Sequence, residues 1–306
     1  MVSVNLSVDI GGLTVRNPIL MASGTFGHGA EYAGLFDLSA IGGVVTKTIT
    51  RHPRAGNPPP RTAETPSGML NSIGLTNPGL EGFIEEKMPA LEALDTGRIV
   101  SIAGTSSDEF SEMADALCTR GGFDALELNI SSPNMKDGGM LFGCREEAAY
   151  EVTKAVKAVA TVPVLVKLTP NVTDITAIAK AVEEAGADGI AMINTLLGMA
   201  IDVNRQEPIL GNITGGLSGP AIKPVALALV WKVAQTVSIP IVGMGGITTP
   251  TDAVEFLIAG ATAVQVGTAT FVNPSAGPQI LEGLESYCLD KGIVDVNDLV
   301  GSLKTP

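Results

Sequence analysis

The chain has 306 residues, of which 45% are hydrophobic and 17% charged; that is enough for one sizeable core and excludes a disordered chain. Mean hydropathy is +0.32, yet no run reaches the roughly 18 apolar residues of a membrane helix, the longest stretch, 189–201, being interrupted by Asn194 and Thr195. A net charge of −13 argues against nucleic acid and anionic lipid as partners, and the scattered Cys118, Cys144 and Cys288 provide neither a disulfide framework nor an all-cysteine iron–sulfur site.

Met1-Val2-Ser3-Val4-Asn5 shows no basic segment leading into an apolar one, so the cytoplasm is the expected location. Residues 2–16 alternate around Gly11-Gly12 and read as a β-hairpin at the barrel bottom. Apolar, β-rich runs then follow at 18–22, 43–48, 98–103, 125–130, 163–168, 189–193, 240–242 and 263–266. Amphipathic stretches separate most of them, at 108–120, 145–159, 174–185 and 251–259. Asp108, Asp174 and Thr249 stand where N-caps or first-turn acids belong. Strand followed by helix, about eight times in one chain, predicts a single α/β domain over 1–306, a (β/α)8 TIM barrel. The open doubly wound sheet is the rival; it would carry a GxGxxG after its first strand, and none is present. Two segments, 50–77 and 195–219, are left as long βα loops over the active site, where loops of that length serve function.

Four groups of residues carry chemistry. Gly243-Met244-Gly245-Gly246-Ile247 follows strand seven, and Val266-Gly267-Thr268-Ala269 follows strand eight. Those two loops form the usual phosphate site of the fold, because glycines let backbone N–H groups approach phosphate oxygens. A single glycine turn would only make a corner; two at these places point to a phosphate, without distinguishing a flavin from a sugar phosphate. Lys47 ends strand two and Lys167 lies in the apolar strand five. A charge there is costly without a partner, and a cation at the mouth can hold a substrate anion or stabilise a reduced flavin. Asn71, Asn129, Asn134 and Asn194 fall at strand ends or in βα loops, where amides that donate and accept suit a ring of alternating C=O and N–H groups. Finally, Asn129-Ile130-Ser131-Ser132-Pro133-Asn134 with Gly138-Gly139 reads as a stiff strand exit opening into a flap. Histidine chemistry is nearly absent: only His28 and His52 are present. No HExxH, CxxC or carboxylate cluster marks a metal, and no GxSxG elbow marks a serine hydrolase.

In combination, NISSPN (129–134), NSIGLTNPG (71–79), KLTPNV (167–172), MINTLLGM (192–199), GGLSGPAIKP (215–224) and GMGGI (243–247) resemble the dihydroorotate dehydrogenases over essentially the whole chain. The stretch from MINTLLGM to GGLSGPAIKP is most similar to the catalytic subunit of the NAD-linked, two-subunit type (class 1B). The resemblance implies a flavoprotein barrel that oxidises dihydroorotate to orotate in pyrimidine (UMP) biosynthesis, with electrons passing to NAD. It places FMN against Ala22, Ser23, Lys47, Thr48, Ser101, Asn129, Lys167, Ile193, Gly219, Gly245, Gly246, Gly267 and Thr268. Substrate would meet Lys47, Asn71, Ser72, Ile73, Gly74, Leu75, Asn129, Asn134, Asn194 and Thr195. The implied catalytic base is Ser132, with Lys47 stabilising developing charge.

Two positions depart from that pattern. The NAD-linked type has cysteine where Ser132 stands; serine is the base of the quinone-linked, membrane-associated type, whose N-terminal helical extension is not seen here. Ser101 stands where asparagine is frequent. The implied partners are a homodimeric copy of this chain and an electron-transfer subunit bearing FAD and a 2Fe–2S cluster, two of each chain in a heterotetramer. Another FMN barrel acting on a dihydropyrimidine, a colourless phosphosugar barrel and a non-catalytic scaffold are the alternatives. A flavin spectrum separates the first from the other two.

Overall fold

The computed structural model describes residues 3–131 and 142–305. Eight parallel strands close a barrel. They are β1 (Ile19–Met21), β2 (Gly43–Val45), β3 (Gly97–Ile102), β4 (Ala125–Asn129), β5 (Val164–Lys167), β6 (Gly189–Met192), β7 (Ile241–Met244) and β8 (Ala263–Val266). β8 pairs with β1 to shut the ring. Nearly every strand residue is buried, because the lumen covers one face and the helices cover the other.

Local chemistry explains the helices. Ser106 caps Ser107–Arg120 by accepting from the Glu109 N–H, and Asp174 does the same for Ile175–Glu184 through Thr176. Thr249 and Asp252 form a reciprocal capping box at the start of Pro250–Ala259, and Gly260 ends that helix in the left-handed region. The helix Lys223–Ala234 carries apolar residues nearly all round, so it shows no amphipathic stripe to read. The crossover from β1 to β2 holds only two 3-10 turns, Ala30–Tyr32 and Leu38–Ala40, in a segment punctuated by glycine.

The N-terminal hairpin pairs Val8–Asp9 with Thr14–Val15. Its turn residue Gly11 has φ +92°, and a side chain there would collide with the Asp188 carbonyl just before β6. The hairpin therefore lies under the N-terminal end of the barrel.

The two segments expected as long loops are not irregular. Leu196–Met199, Thr214–Ser218, Gly68–Asn71 and Thr62–Thr65 pair in that order as an antiparallel four-stranded sheet. Each strand is short, and Asn71 pairs with Gly216 from the far half of the chain; no local periodicity announces a pairing of that kind. The sheet brings Asn71 and Ser218 to the barrel mouth. Among the described residues, no helix is long and apolar enough to cross a membrane.

Candidate active site

A cleft of about 250 Å³ opens at the C-terminal ends of the barrel strands. The exit of β1 contributes Ala22 and Ser23, and the segment beyond β2 contributes Lys47 and Thr48. Asn129 ends β4 and Lys167 ends β5; Ile193, Asn194 and Thr195 follow β6. Gly219, Gly245, Gly246, Gly267 and Thr268 form the opposite wall, and Asn71, Ile73, Gly74 and Leu75 come in from the overlying sheet. Lys47 and Asn194 lie just outside the regular strands rather than closing them, although the chain after β2 still bonds β3 through Thr46 N and Ile49 N.

Two expected contacts stand behind the wall. Ser101 is fully buried, 2.9 Å from the Thr48 hydroxyl, so it reaches the cleft only through Thr48. Ser72 is also fully buried, and its hydroxyl accepts from Asn57 Nδ2 at 2.9 Å. Ser132 and Asn134 lie outside the described residues.

The hydroxyls and amides from β1 round to β6 form one chain of hydrogen bonds. Asn129 Nδ2 donates to Thr48 Oγ1 at 3.1 Å, and the Ser23 hydroxyl lies 3.2 Å from the same oxygen. Asn129 Oδ1 accepts from Ser131 Oγ at 3.0 Å, and Ser131 Oγ accepts from Asn194 Nδ2 at 2.9 Å. Asn171, inside the KLTPNV motif, donates to the Thr195 carbonyl and accepts from Leu197 N, fixing the start of the Leu196–Met199 strand of the overlying sheet. Thr268 donates to Ser218 Oγ at 2.8 Å, tying the β8 turn to the overlying sheet.

The two lysines differ. Burial lowers the Lys47 pKa below the ordinary lysine value; the neighbouring Arg61 pushes the same way and Glu31 opposes it. None of the ion pairs among the described residues includes Lys47. Lys167 is 5% exposed and stands 3.6 Å from Glu127, which is wholly buried. Gln265 on β8 donates to the other Glu127 oxygen at 2.8 Å. Glu127, Gln265 and Ser131 are not among the residues the sequence singles out. A signal existed for the first two: each is a lone polar residue in an apolar strand run, Ala125-Leu126-Glu127-Leu128 and Ala263-Val264-Gln265-Val266.

The glycine wall is anchored from outside. Lys223 donates to Asp252 at 2.6 Å and to Glu255 at 2.7 Å. Burial works against the Asp252 charge, but Lys223 and the N–H groups of Thr248 and Thr249 outweigh it and hold its pKa at about 2. Gly246 has φ +78°, and a Cβ there would fall 2.8 Å from the Gly219 carbonyl and 2.9 Å from Lys223 N. The wall therefore requires glycine at this position. His28 sits outside the cleft, buried beside Phe83, with its pKa lowered by burial against the pull of Glu31.

Paired glycine turns after β7 and β8 face lysines and amides across the mouth of a (β/α)8 barrel, the end at which enzymes of this fold carry their active sites. Comparison with known proteins narrows the class. The family pattern described as dihydroorotate dehydrogenase matches residues 5–288. A protein of Desulforamulus reducens named dihydroorotate dehydrogenase B (NAD(+)), catalytic subunit, is 56% identical over 299 residues, 98% of this chain and 98% of its own. Proteins of the same name from Geotalea uraniireducens and Geobacillus kaustophilus are 53% identical over 98% of this chain and 99% of theirs, and 54% identical over 97% and 95%. The chain belongs to the dihydroorotate dehydrogenase family, a group of oxidoreductases.

Proposed function

We propose that this chain is the FMN-bearing catalytic subunit of an NAD-linked dihydroorotate dehydrogenase, oxidising dihydroorotate to orotate in pyrimidine biosynthesis. The observation that carries the reading is the meeting, in one cleft, of the two glycine turns with Lys47, Lys167, Asn71, Asn129 and Asn194. The residues suit an FMN: Gly245, Gly246, Gly267 and Thr268 cradle a phosphate, and the buried Gln265 Oε1 at the cleft has no hydrogen-bond partner among the described residues. Ala22, Ser23, Thr48, Ile193 and Gly219 complete the flavin wall, and Ser101 acts on it through Thr48.

When bound, FMN supplies the acceptor for the hydride that leaves carbon 6 of dihydroorotate. The chain's own residues do the rest. Asn71, Asn129 and Asn194 hold the ring by amide hydrogen bonds, with Ile73, Gly74, Leu75 and Thr195 closing around it and Asn134 joining from the neighbouring segment. Lys47, which enters none of the ion pairs among the described residues, takes the substrate carboxylate and stabilises developing charge. Ser132 removes the proton from carbon 5 and passes it onward to a neighbouring hydroxyl or water, since a serine hydroxyl is a poor proton store. Ser131, its chain neighbour, already joins Asn129 and Asn194 by hydrogen bonds.

The relatives are named catalytic subunits, which implies a separate electron-transfer subunit. We assign FAD and a 2Fe–2S cluster to that subunit, in a cytoplasmic heterotetramer built on a homodimer of this chain. Heat release from the purified protein should yield FMN, and anaerobic dihydroorotate should bleach the flavin spectrum. Recovery of FAD, or a folded protein without flavin, overturns the cofactor reading. Bleaching by another dihydropyrimidine but not by dihydroorotate overturns the substrate reading. Rapid NAD reduction by the isolated chain overturns the partner.

A further inference from the structure

Glu127, Lys167 and Gln265 meet inside the barrel, from β4, β5 and β8. All three are more than nine-tenths buried. Lys167 and Gln265 line the cleft, whereas Glu127 lies behind them, one step down the lumen face of β4 from Asn129. Gln265 donates its NH2 to Glu127, and its own Oε1 is buried with no hydrogen-bond partner among the described residues.

Among the ion pairs whose two side chains are mostly shielded from solvent, this one is set apart by its spacing. Arg98–Asp124, Lys157–Asp188 and Lys223–Asp252 close to 2.7, 2.6 and 2.6 Å. Lys167 Nζ stays 3.6 Å from Glu127 Oε1, too far for a hydrogen bond, and that oxygen has no hydrogen-bond partner among the described residues. The most buried ion pair of the barrel is thus the loosest of these. Burying a lysine there without a counter-charge would be costly. Bonding it tightly to Glu127 would take up N–H donors that the cleft can use.

We propose that Glu127 is a positioning residue for Lys167: it holds the ammonium at the cleft floor while offsetting part of its charge, and so sets the reduction potential of the bound flavin. The proposal rests on the reading of the cleft as an FMN site. A cation beside the ring favours the reduced, more negative flavin, and a carboxylate behind that cation weakens the preference. Glu127 therefore keeps the potential lower than Lys167 alone would make it.

The test is the potential of FMN on the isolated chain, measured by dye-equilibrated reduction for the parent, Glu127→Gln, Lys167→Gln and the double variant. Glu127→Gln keeps the shape and removes the negative charge. Its bound FMN should prefer the reduced state about tenfold more than the parent, which for a two-electron couple is about 30 mV upward. Lys167→Gln should move the potential downward. The effect of Glu127→Gln should shrink in the Lys167→Gln background, because the pair acts as a unit. Gln265→Met, which removes the amide that steadies Glu127, should shift the potential upward by less, and it tests the proposal if Glu127→Gln does not fold. A purely structural role would weaken FMN retention without moving the potential. Equal potentials for the parent and Glu127→Gln, with FMN retained in both, overturn the proposal and leave the FMN reading standing. Strictly additive shifts in the double variant overturn the route through Lys167. A parent that holds no FMN overturns the FMN reading and this proposal with it.

Discussion

The two ends of the barrel use charge in opposite ways. At the N-terminal end, Arg98 at the start of β3 gives Asp124 three hydrogen bonds, from N, Nε and Nη2. Asp188 before β6 accepts from Lys157 Nζ and from Val164 N at the start of β5. These carboxylates are half-buried and well supplied with donors, and they join neighbouring strand entrances. At the C-terminal end, Lys47 lacks an ion pair among the described residues and Lys167 is held loosely. Atoms that are fully bonded within the chain stabilise the fold; atoms left short of partners remain available to a ligand.

Replacing the proposed base should break the comparison most sharply. Ser132→Ala should slow anaerobic flavin reduction by about 10²–10⁴-fold, the range of a positioned general base, while orotate still perturbs the flavin spectrum. Ser132→Cys should speed reduction near neutral pH, since a thiol yields its proton more readily than a hydroxyl. An alanine variant as fast as the parent would move the base elsewhere, Cys144 being the group to test next.

Lys47→Ala should cost about 10–10² in orotate affinity, the value of a charge-assisted hydrogen bond. The pH profile adds a sign. Because burial lowers the Lys47 pKa from 10.5, the ammonium is lost as pH rises through that depressed value, and orotate affinity should fall before an ordinary lysine would titrate. Lys47→Arg should flatten the profile, since guanidinium stays charged. A parent profile flat to pH 10.5 would remove Lys47 from substrate binding.

Asp252 is the exception that sharpens the contrast, a mouth-side charge that is fully bonded. Its depressed pKa of about 2, against 3.8 unperturbed, means that its contribution is complete above 3.8 and is lost as pH falls through about 2. Asp252→Asn should cost about 2 kcal/mol at neutral pH by denaturant titration and weaken FMN retention, because Lys223 packs against Gly246. Unchanged stability would show that the cluster is only a surface pair.

The smallest effect belongs to the other end. Asp124→Asn should cost about 1–2 kcal/mol of stability and leave the flavin potential and orotate affinity unchanged. A shift in either would mean that the two ends are coupled.

Much of this molecule is written locally. Capping residues, β-rich runs and the absence of GxGxxG point to the barrel from sequence, because each depends on neighbours a few positions away. The glycine turns and the lysines and asparagines at or just beyond the strand ends are legible for the same reason: a position at a strand exit in a barrel is a position at the mouth. Ser101 and Ser72 show the limit, since sequence places them near the site but not which side of the wall they occupy.

Sequence alone therefore determined the alternation of strand and helix, the glycine turns after β7 and β8 and the polar residues at or just beyond the strand ends. Tertiary structure decided three further things: that two loop segments pair into a sheet over the mouth, that Ser101 stands behind Thr48, and that Lys167 stands opposite Glu127, which Gln265 bonds. The reason is physical. A strand's period of two sets which face a side chain takes, but only closing the ring sets what stands opposite it in the lumen, and there a buried charge must find its counter-charge from a different strand.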